Sequence, residues 1–296
     1  MLVVGSKYNY LVEIVGTFIL VYAIASAATV YSDSGQLGVI GIGLVHALAL
    51  TAIVYAIGYR SGAQVNPAVT IGLLVARKLR VKEAVLYIVC QIIGAVIAAA
   101  VVYAIFGSSM AASVTLPADG NVIRAFVLET VMTFTLVYVV LAATTSKNSK
   151  IAPLAGVAVG FTLGFNVIFG GSISGGSLNP ARSFGPALIA GNFDYHWLYW
   201  IAPIIGGLIA AGVYKGLHKD TDFPLAEDEQ VKQGYQMKKT TEQEVNCCFY
   251  CSQAYLSYTE CNEHIDYQHP GKLHYPTPHL GACCDVLISQ IIKKGV

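Results

Sequence analysis

The sequence predicts an all-α membrane protein: six transmembrane helices plus two re-entrant half-helices in an inverted repeat, with a small cytoplasmic C-terminal tail module. Three observations predict it. Hydrophobic residues make up 55% of the 296 and charged ones only 12%, a composition that excludes an ordinary soluble domain. The pattern Ser-Gly-x-x-x-Asn-Pro-Ala occurs twice, at Ser61–Ala68 and at Ser174–Ala181, 113 positions apart. A longer pattern, Glu13-x-Val15-x-Thr17-Phe18-x-Leu20-Val21-Tyr22, returns as Glu129-x-Val131-x-Thr133-Phe134-x-Leu136-Val137-Tyr138.

Six apolar stretches are long enough to span a bilayer, which takes about 20 residues of helix. They run over about 8–30, 37–57, 82–106, 123–144, 151–169 and 196–217. The first contains Glu13 and is too long for the apolar core of a cleavable signal peptide. Between the second and third, and between the fifth and sixth, lie the two repeated motifs. Asn66 and Asn179 are favourable N-caps, and Pro67 and Pro180 suit the first helical position, so each motif opens a helix. The helices, about 67–76 and 180–190, are too short to cross alone. Two half-spans entered through Gly-rich irregular backbone imply a protein-lined cavity at mid-membrane depth. Extended stretches over 60–65 and 173–178 would line its wall with carbonyl acceptors, and the Asn66 and Asn179 amides would donate to a passing water oxygen.

An even number of spans puts both termini on one side. Lys7, Arg60, Arg77, Lys78, Arg80, Lys82, Lys147, Lys150, Lys215 and Lys219 fall on that side and Arg124 on the other, so the termini are expected in the cytoplasm. Three spans separate the repeats, an odd number, so the second copy is inverted. Tyr87 and Gly94 match Tyr199 and Gly206 within it, and Gly156, Gly160 and Gly164 form a small-residue stripe suited to close helix packing.

Paired Asn-Pro-Ala motifs in a six-span chain resemble those of the aquaporin (major intrinsic protein) family, over roughly residues 8–217. The resemblance implies a passive channel for water and small neutral solutes that excludes ions and protons, needs no cofactor, sits in lipid and assembles as a homotetramer. It implies that Asn66, Pro67, Ala68, Asn179, Pro180 and Ala181 form the pore centre. It also implies that Glu13 and Glu129 accept hydrogen bonds from the re-entrant loops. A second filter would fall on His46, Val167, Gly176 and Arg182, counted from the two motifs. Val167 and Gly176 are smaller than the residues usual in strictly water-selective members, and Ser183 stands where glycerol-conducting members usually carry Asp. The four filter residues look most like a plant vacuolar (tonoplast intrinsic) water and ammonia group; the cell membrane is the default expectation for location. A glycerol-type facilitator, an inverted-repeat secondary transporter and a membrane sensor are the competing readings. Coupled transport would want ionisable residues at mid-depth, and Glu13 and Glu129 are the two available. No enzyme is expected, since no nucleophile or acid–base constellation stands out, and no nucleic-acid partner.

The tail departs from this pattern. Residues 1–219 hold 12 Lys/Arg against 6 Asp/Glu, while residues 220–296 hold 6 against 11 and six of the seven cysteines. The division expected is therefore a channel over 1–218, an acidic polar linker over 219–246 and a Cys/His-rich tail over 247–296. Cys248, Cys251, Cys261 and His264 have the spacing of a tetrahedral zinc site, with Cys283 or Cys284 as an alternative ligand. Structural zinc in the tail is the expectation, because a segment of about 50 residues lies near the size below which a metal or similar staple is often needed.

Overall fold

A computed structural model describes residues 7–145 and 152–218, and the backbone of 246–247 and 254–255. Its first unit contains eight α-helices: α1 (Lys7–Ser34), α2 (Gly38–Ser61), α3 (Pro67–Val75), α4 (Val81–Phe106), α5 (Val122–Thr145), α6 (Ala155–Ser174), α7 (Pro180–Ala190) and α8 (Leu198–Leu217). Among the described residues six helices are long and apolar enough to cross a membrane, and α3 and α7 are not. At 1.5 Å per residue the 9 residues of α3 and 11 of α7 measure about 14 and 16 Å, so together they make one bilayer crossing. Apolar side chains such as Ile40, Leu48, Val85, Ile123 and Phe161 stand exposed on the outer faces, as lipid requires.

The second helix continues through Ser61 and the sixth through Ser174, further than the sequence suggests. The connecting stretches are correspondingly 62–66 and 175–179, and they are not extended throughout: Gly62 and Gly175 take left-handed φ values of 86° and 84° and end the helices, and Ala63, Val65, Gly176 and Leu178 also have positive φ. The last span begins at Leu198, leaving His196 in the turn before it. Later in the chain, Asn246–Cys247 pair antiparallel with Ala254–Tyr255, two residues of β-ladder in a chain otherwise expected to be all-α. Cys248, Cys251, Cys261, His264, Cys283 and Cys284 lie outside the described residues, as do Lys147 and Lys150.

The packing has the two-fold pattern of the repeat. In the first half α1 lies on α4 and α2; in the second α5 lies on α8 and α6. The halves meet where α2 packs along α6, and each half-helix crosses over, α3 onto α8 and α7 onto α4. Small residues make these approaches. A Cβ on Gly160 would strike Thr51 and the Ala47 carbonyl, and one on Gly164 would lie 2.7 Å from the Ala47 Cβ, so the glycine stripe of α6 is the seam with α2. Gly94 and Gly206 do the same for α4 on α1 and α8 on α5: a Cβ on either would meet the backbone of Ile14 or of Thr130.

Candidate functional site: the crossed re-entrant arms

Each re-entrant arm hangs from one buried carboxylate. Glu13 of α1 accepts hydrogen bonds at Oε1 from the Ser61 hydroxyl (2.6 Å) and the Gln64 N–H (3.0 Å). Its Oε2 accepts from the Val65 N–H (2.8 Å) and Gln91 Nε2 (2.9 Å). Glu129 of α5 repeats the scheme, accepting from the Ser174 hydroxyl (2.7 Å), the Ser177 N–H (2.8 Å) and the Leu178 N–H (2.7 Å). Neither carboxylate is exposed, so each is balanced by donors rather than by water. These bonds hold backbone that would not stay put by itself. Ala63 and Val65 in one arm and Leu178 in the other have φ of 48°, 43° and 54°, left-handed values that cost on the order of 1–3 kcal/mol each for residues with a Cβ.

At the tips the arms lock to one another. Asn66 caps α3 by accepting from the Ala68 N–H (2.9 Å), and Asn179 caps α7 by accepting from Ala181 (3.0 Å) and Arg182 (3.2 Å). Each side-chain amide then crosses over: Asn66 Nδ2 donates to the Leu178 carbonyl, and Asn179 Nδ2 donates to the Val65 carbonyl, both at 2.8 Å. The amides therefore have a structural duty that the sequence did not reveal. One N–H of each holds the opposite arm, which leaves the second for the lumen. Pro67, Ala68, Pro180 and Ala181 pack around the lock, fully buried.

A void follows the arms, bounded by Gly62–Asn66 on one wall and by Leu20, Ile24, Leu50, Leu136 and Leu163 on another, and reaching Asn179 and Arg182. Among the remaining sequence candidates, Val167 stands beside Gly176, where an added Cβ would lie 3.5 Å from Val167 Cγ2. Arg182 is buried and donates from Nη1 to the Ser113 carbonyl (2.8 Å). The His46 ring bonds the Ile42 carbonyl through Nδ1 (2.8 Å); a carbonyl only accepts, so Nδ1 carries the hydrogen and Nε2 is a bare acceptor. That Nε2 and Arg182 Nε are buried without a protein partner. An acceptor and a donor so left fit a site that water passes.

Several residues of the arms were not singled out from sequence. Gln91 bridges Glu13 and the Thr70 hydroxyl (3.0 Å), and Thr70 donates to the Asn66 carbonyl (3.1 Å). In the other half a hydroxyl relay runs from Thr115 to Ser183 (2.8 Å), to Ser177 (2.5 Å) and to the Asn179 carbonyl (3.0 Å). Gln91 carried a signal, a polar amide inside an apolar span; Thr115, in a connection, carried none. Among the described residues no group of three or more His, Cys, Asp and Glu side chains gathers as a metal site.

Comparison with known proteins agrees with this geometry. Residues 3–214 match the family model described as major intrinsic protein. The chain is 38% identical over 230 residues to a probable aquaporin TIP3-2 of Oryza sativa subsp. japonica, covering 76% of this chain and 87% of that one. It is 38% identical over 217 residues to nodulin-26 of Glycine max, covering 73% and 79%. In fold it is similar to the aquaglyceroporin from Plasmodium falciparum, with a TM-score of 0.63 at 23% identity over 73% of this chain and 99% of that one. With paired arms crossed at two capping asparagines and relatives of this kind over most of its length, the chain belongs to the major intrinsic protein family.

Proposed function

We propose that this channel for water and small solutes, which is not an enzyme, selects at two levels: the crossed Asn66–Asn179 pair, and a ring of His46, Val167, Gly176 and Arg182. The observation that carries the reading is the pair of half-helices whose N-termini meet at buried asparagines, each with an amide N–H left over for the lumen. Helix N-termini present partial positive charge there, so a cation meets repulsion and loses its hydration shell without replacement. A water molecule instead exchanges hydrogen bonds with the asparagines, the wall carbonyls, His46 Nε2 and Arg182 Nε. Orientation of water away from the centre interrupts proton transfer.

Val167 and Gly176 supply little bulk to the ring, which supports passage of ammonia and hydrogen peroxide beside water. The protein is a multi-pass membrane protein; cytoplasmic termini follow from the basic residues at that face, and a homotetramer from the family. Cys248, Cys251, Cys261 and His264 remain a proposed zinc site in the tail, to be checked by metal analysis of the purified full chain with and without chelator.

Stopped-flow permeability of reconstituted protein to water, glycerol, ammonia and hydrogen peroxide tests the main reading. Water should pass with a low activation energy and no sodium or proton leak. Val167→His should reduce ammonia and peroxide flux more than water flux; equal losses would move the selective constriction elsewhere.

A further inference from the structure

We infer that the seam between α1 and α4 holds a file of bound water, closed off from the lumen, that brings solvent to Glu13 from the surface where both helices begin. Polar residues recur every fourth place on one face of each helix: Asn9, Glu13 and Thr17 on α1, and Glu83, Tyr87 and Gln91 on α4. The helices run parallel in one register. Gln91 Nε2 donates to Glu13 Oε2, and a turn nearer that surface the Tyr10 and Tyr87 rings meet edge to face at 5.7 Å. All six side chains are buried, from Glu83 at 7% exposure at the mouth to 0% at Glu13, Thr17 and Gln91. Three of their atoms have no hydrogen-bond partner in the protein: Glu83 Oε2, Gln91 Oε1 and the Thr17 hydroxyl. Thr29, Thr130, Thr135, Thr144 and Thr162 return their hydroxyls to the carbonyl four places back, and Thr17 does not. Buried polar atoms left so are costly unless water completes them. One polar stripe unsatisfied at its mouth, middle and inner end fits a chain of such waters.

The file is blind. Gly94 brings α4 so close to α1 that a Cβ there would meet the Ile14 carbonyl and lie 3.1 Å from the Phe18 nitrogen, which shuts the seam beside Thr17. None of the six polar residues lines the void along the arms. The second half has no such stripe. The matching places are Ala125, Glu129 and Thr133 on α5, then Tyr195, Tyr199 and Pro203 at and in α8. Thr133 also has a hydroxyl without a partner, but Ala125 and Pro203 stand in place of Asn9 and Gln91. The Tyr199 hydroxyl is spent on the Ser174 carbonyl (2.7 Å). Glu129 is thus sealed in, while Glu13 stays in exchange with solvent.

Hydroxyl radicals made by a brief X-ray pulse label side chains that touch water, bound water included. Tyr87 and Tyr199 are exposed by only 4% and 0%, so without the file both should be protected alike. In the reconstituted full chain Tyr87 should instead be oxidised several-fold faster than Tyr199. Glu83→Gln, which keeps a polar mouth, should retain that labelling; Glu83→Leu should bring it down to the level of Tyr199. Water permeability per channel should be the same in wild type and both variants, since the file lies outside the lumen. Equal labelling of the two tyrosines in wild type, or labelling of Tyr87 that survives Glu83→Leu, would overturn the inference and leave the channel reading intact. Loss of labelling together with an equal loss of permeability in Glu83→Leu would also overturn it, by placing that water in the lumen. A wild type no faster than empty vesicles would overturn the channel reading and not the file.

Discussion

The two halves share a skeleton and differ at the lumen. The main supports of an arm appear twice: Glu13 and Glu129, Ser61 and Ser174, Val65 and Leu178 at left-handed φ, Asn66 and Asn179. The proposed ring does not. Stepping back 113 positions from Val167, Gly176 and Arg182 reaches Val54, Ala63 and Val69, and stepping forward from His46 reaches Val159. All four of these line the inner part of the void, and all four are apolar. The repeat was therefore kept where it carries stability and broken where it carries selection. In the proposed reading a solute meets Arg182 and His46 on one side of the asparagine pair and valines on the other.

The strongest way to break this comparison is at the anchors. Glu13→Ala orphans the Ser61 hydroxyl and the Gln64 and Val65 N–H groups and takes one of two bonds from Gln91 Nε2, and Glu129→Ala orphans three donors, each worth about 1–3 kcal/mol, which is enough to remove the folded state. Neither variant should give a monodisperse peak in size-exclusion chromatography. If one does and the other does not, the arms are not equivalent supports.

Smaller losses should follow at the lock. Asn66→Ala removes a helix cap and leaves the Leu178 carbonyl unpaired; Asn179→Ala removes a cap and leaves that of Val65. A cap and a cross-arm bond together make about 2–3 kcal/mol per variant. Thermal unfolding in detergent should show similar falls in Tm for both. The double variant should cost less than the sum, because each single change already loosens the same junction. Strict additivity would mean that the two crossings act independently.

Arg182→Val gives the outer ring the residue that its counterpart Val69 supplies inside. Folding should survive, because Asn179 still caps α7 and the hydroxyl relay through Ser183 is untouched. Sodium leak should rise on the order of tenfold, about 1.4 kcal/mol of lost barrier. An unchanged leak would assign charge exclusion to the asparagine pair and the helix ends alone.

How much of this was legible in the sequence follows the same division. Asn before Pro, glutamate inside an apolar span and the offset between copies are local signals, and they sufficed for the six spans, both half-helices and the two caps. The crossed bonds join residues 112 and 114 positions apart, Asn66 with Leu178 and Asn179 with Val65, and no periodicity encodes such a pair. The lengths of α2 and α6 were underestimated because the Gly-rich stretches 60–65 and 173–178 read as extended backbone. In the fold, Ser61 and Ser174 are buried and spend their hydroxyls on the glutamates, so the helices run to them.

The smallest expected effect lies at the outer end of α8, where the halves differ in a titratable group. His196 precedes α8 and, 112 positions earlier, Ala84 holds the matching place on α4. His196 is half-buried among Phe184 and Phe193, and its Nε2 accepts a hydrogen bond from Trp200 Nε1 (3.1 Å). Burial lowers its pKa below the usual histidine value. The sign follows: the unfolded chain takes up the proton first, so stability is complete above about pH 6.5 and declines as the pH falls towards the folded value. Protonation also replaces the acceptor that Trp200 needs with a second donor. Because the ring is only half-buried, solvent screening keeps the loss well under about 1 kcal/mol. Thermal unfolding of the wild type should therefore show a slightly lower Tm at pH 5 than at pH 7.5, and His196→Phe should flatten that component. A slope that survives the substitution would place the titration at another group, and the outer end of the second half would then be no more pH-sensitive than its apolar counterpart at Ala84.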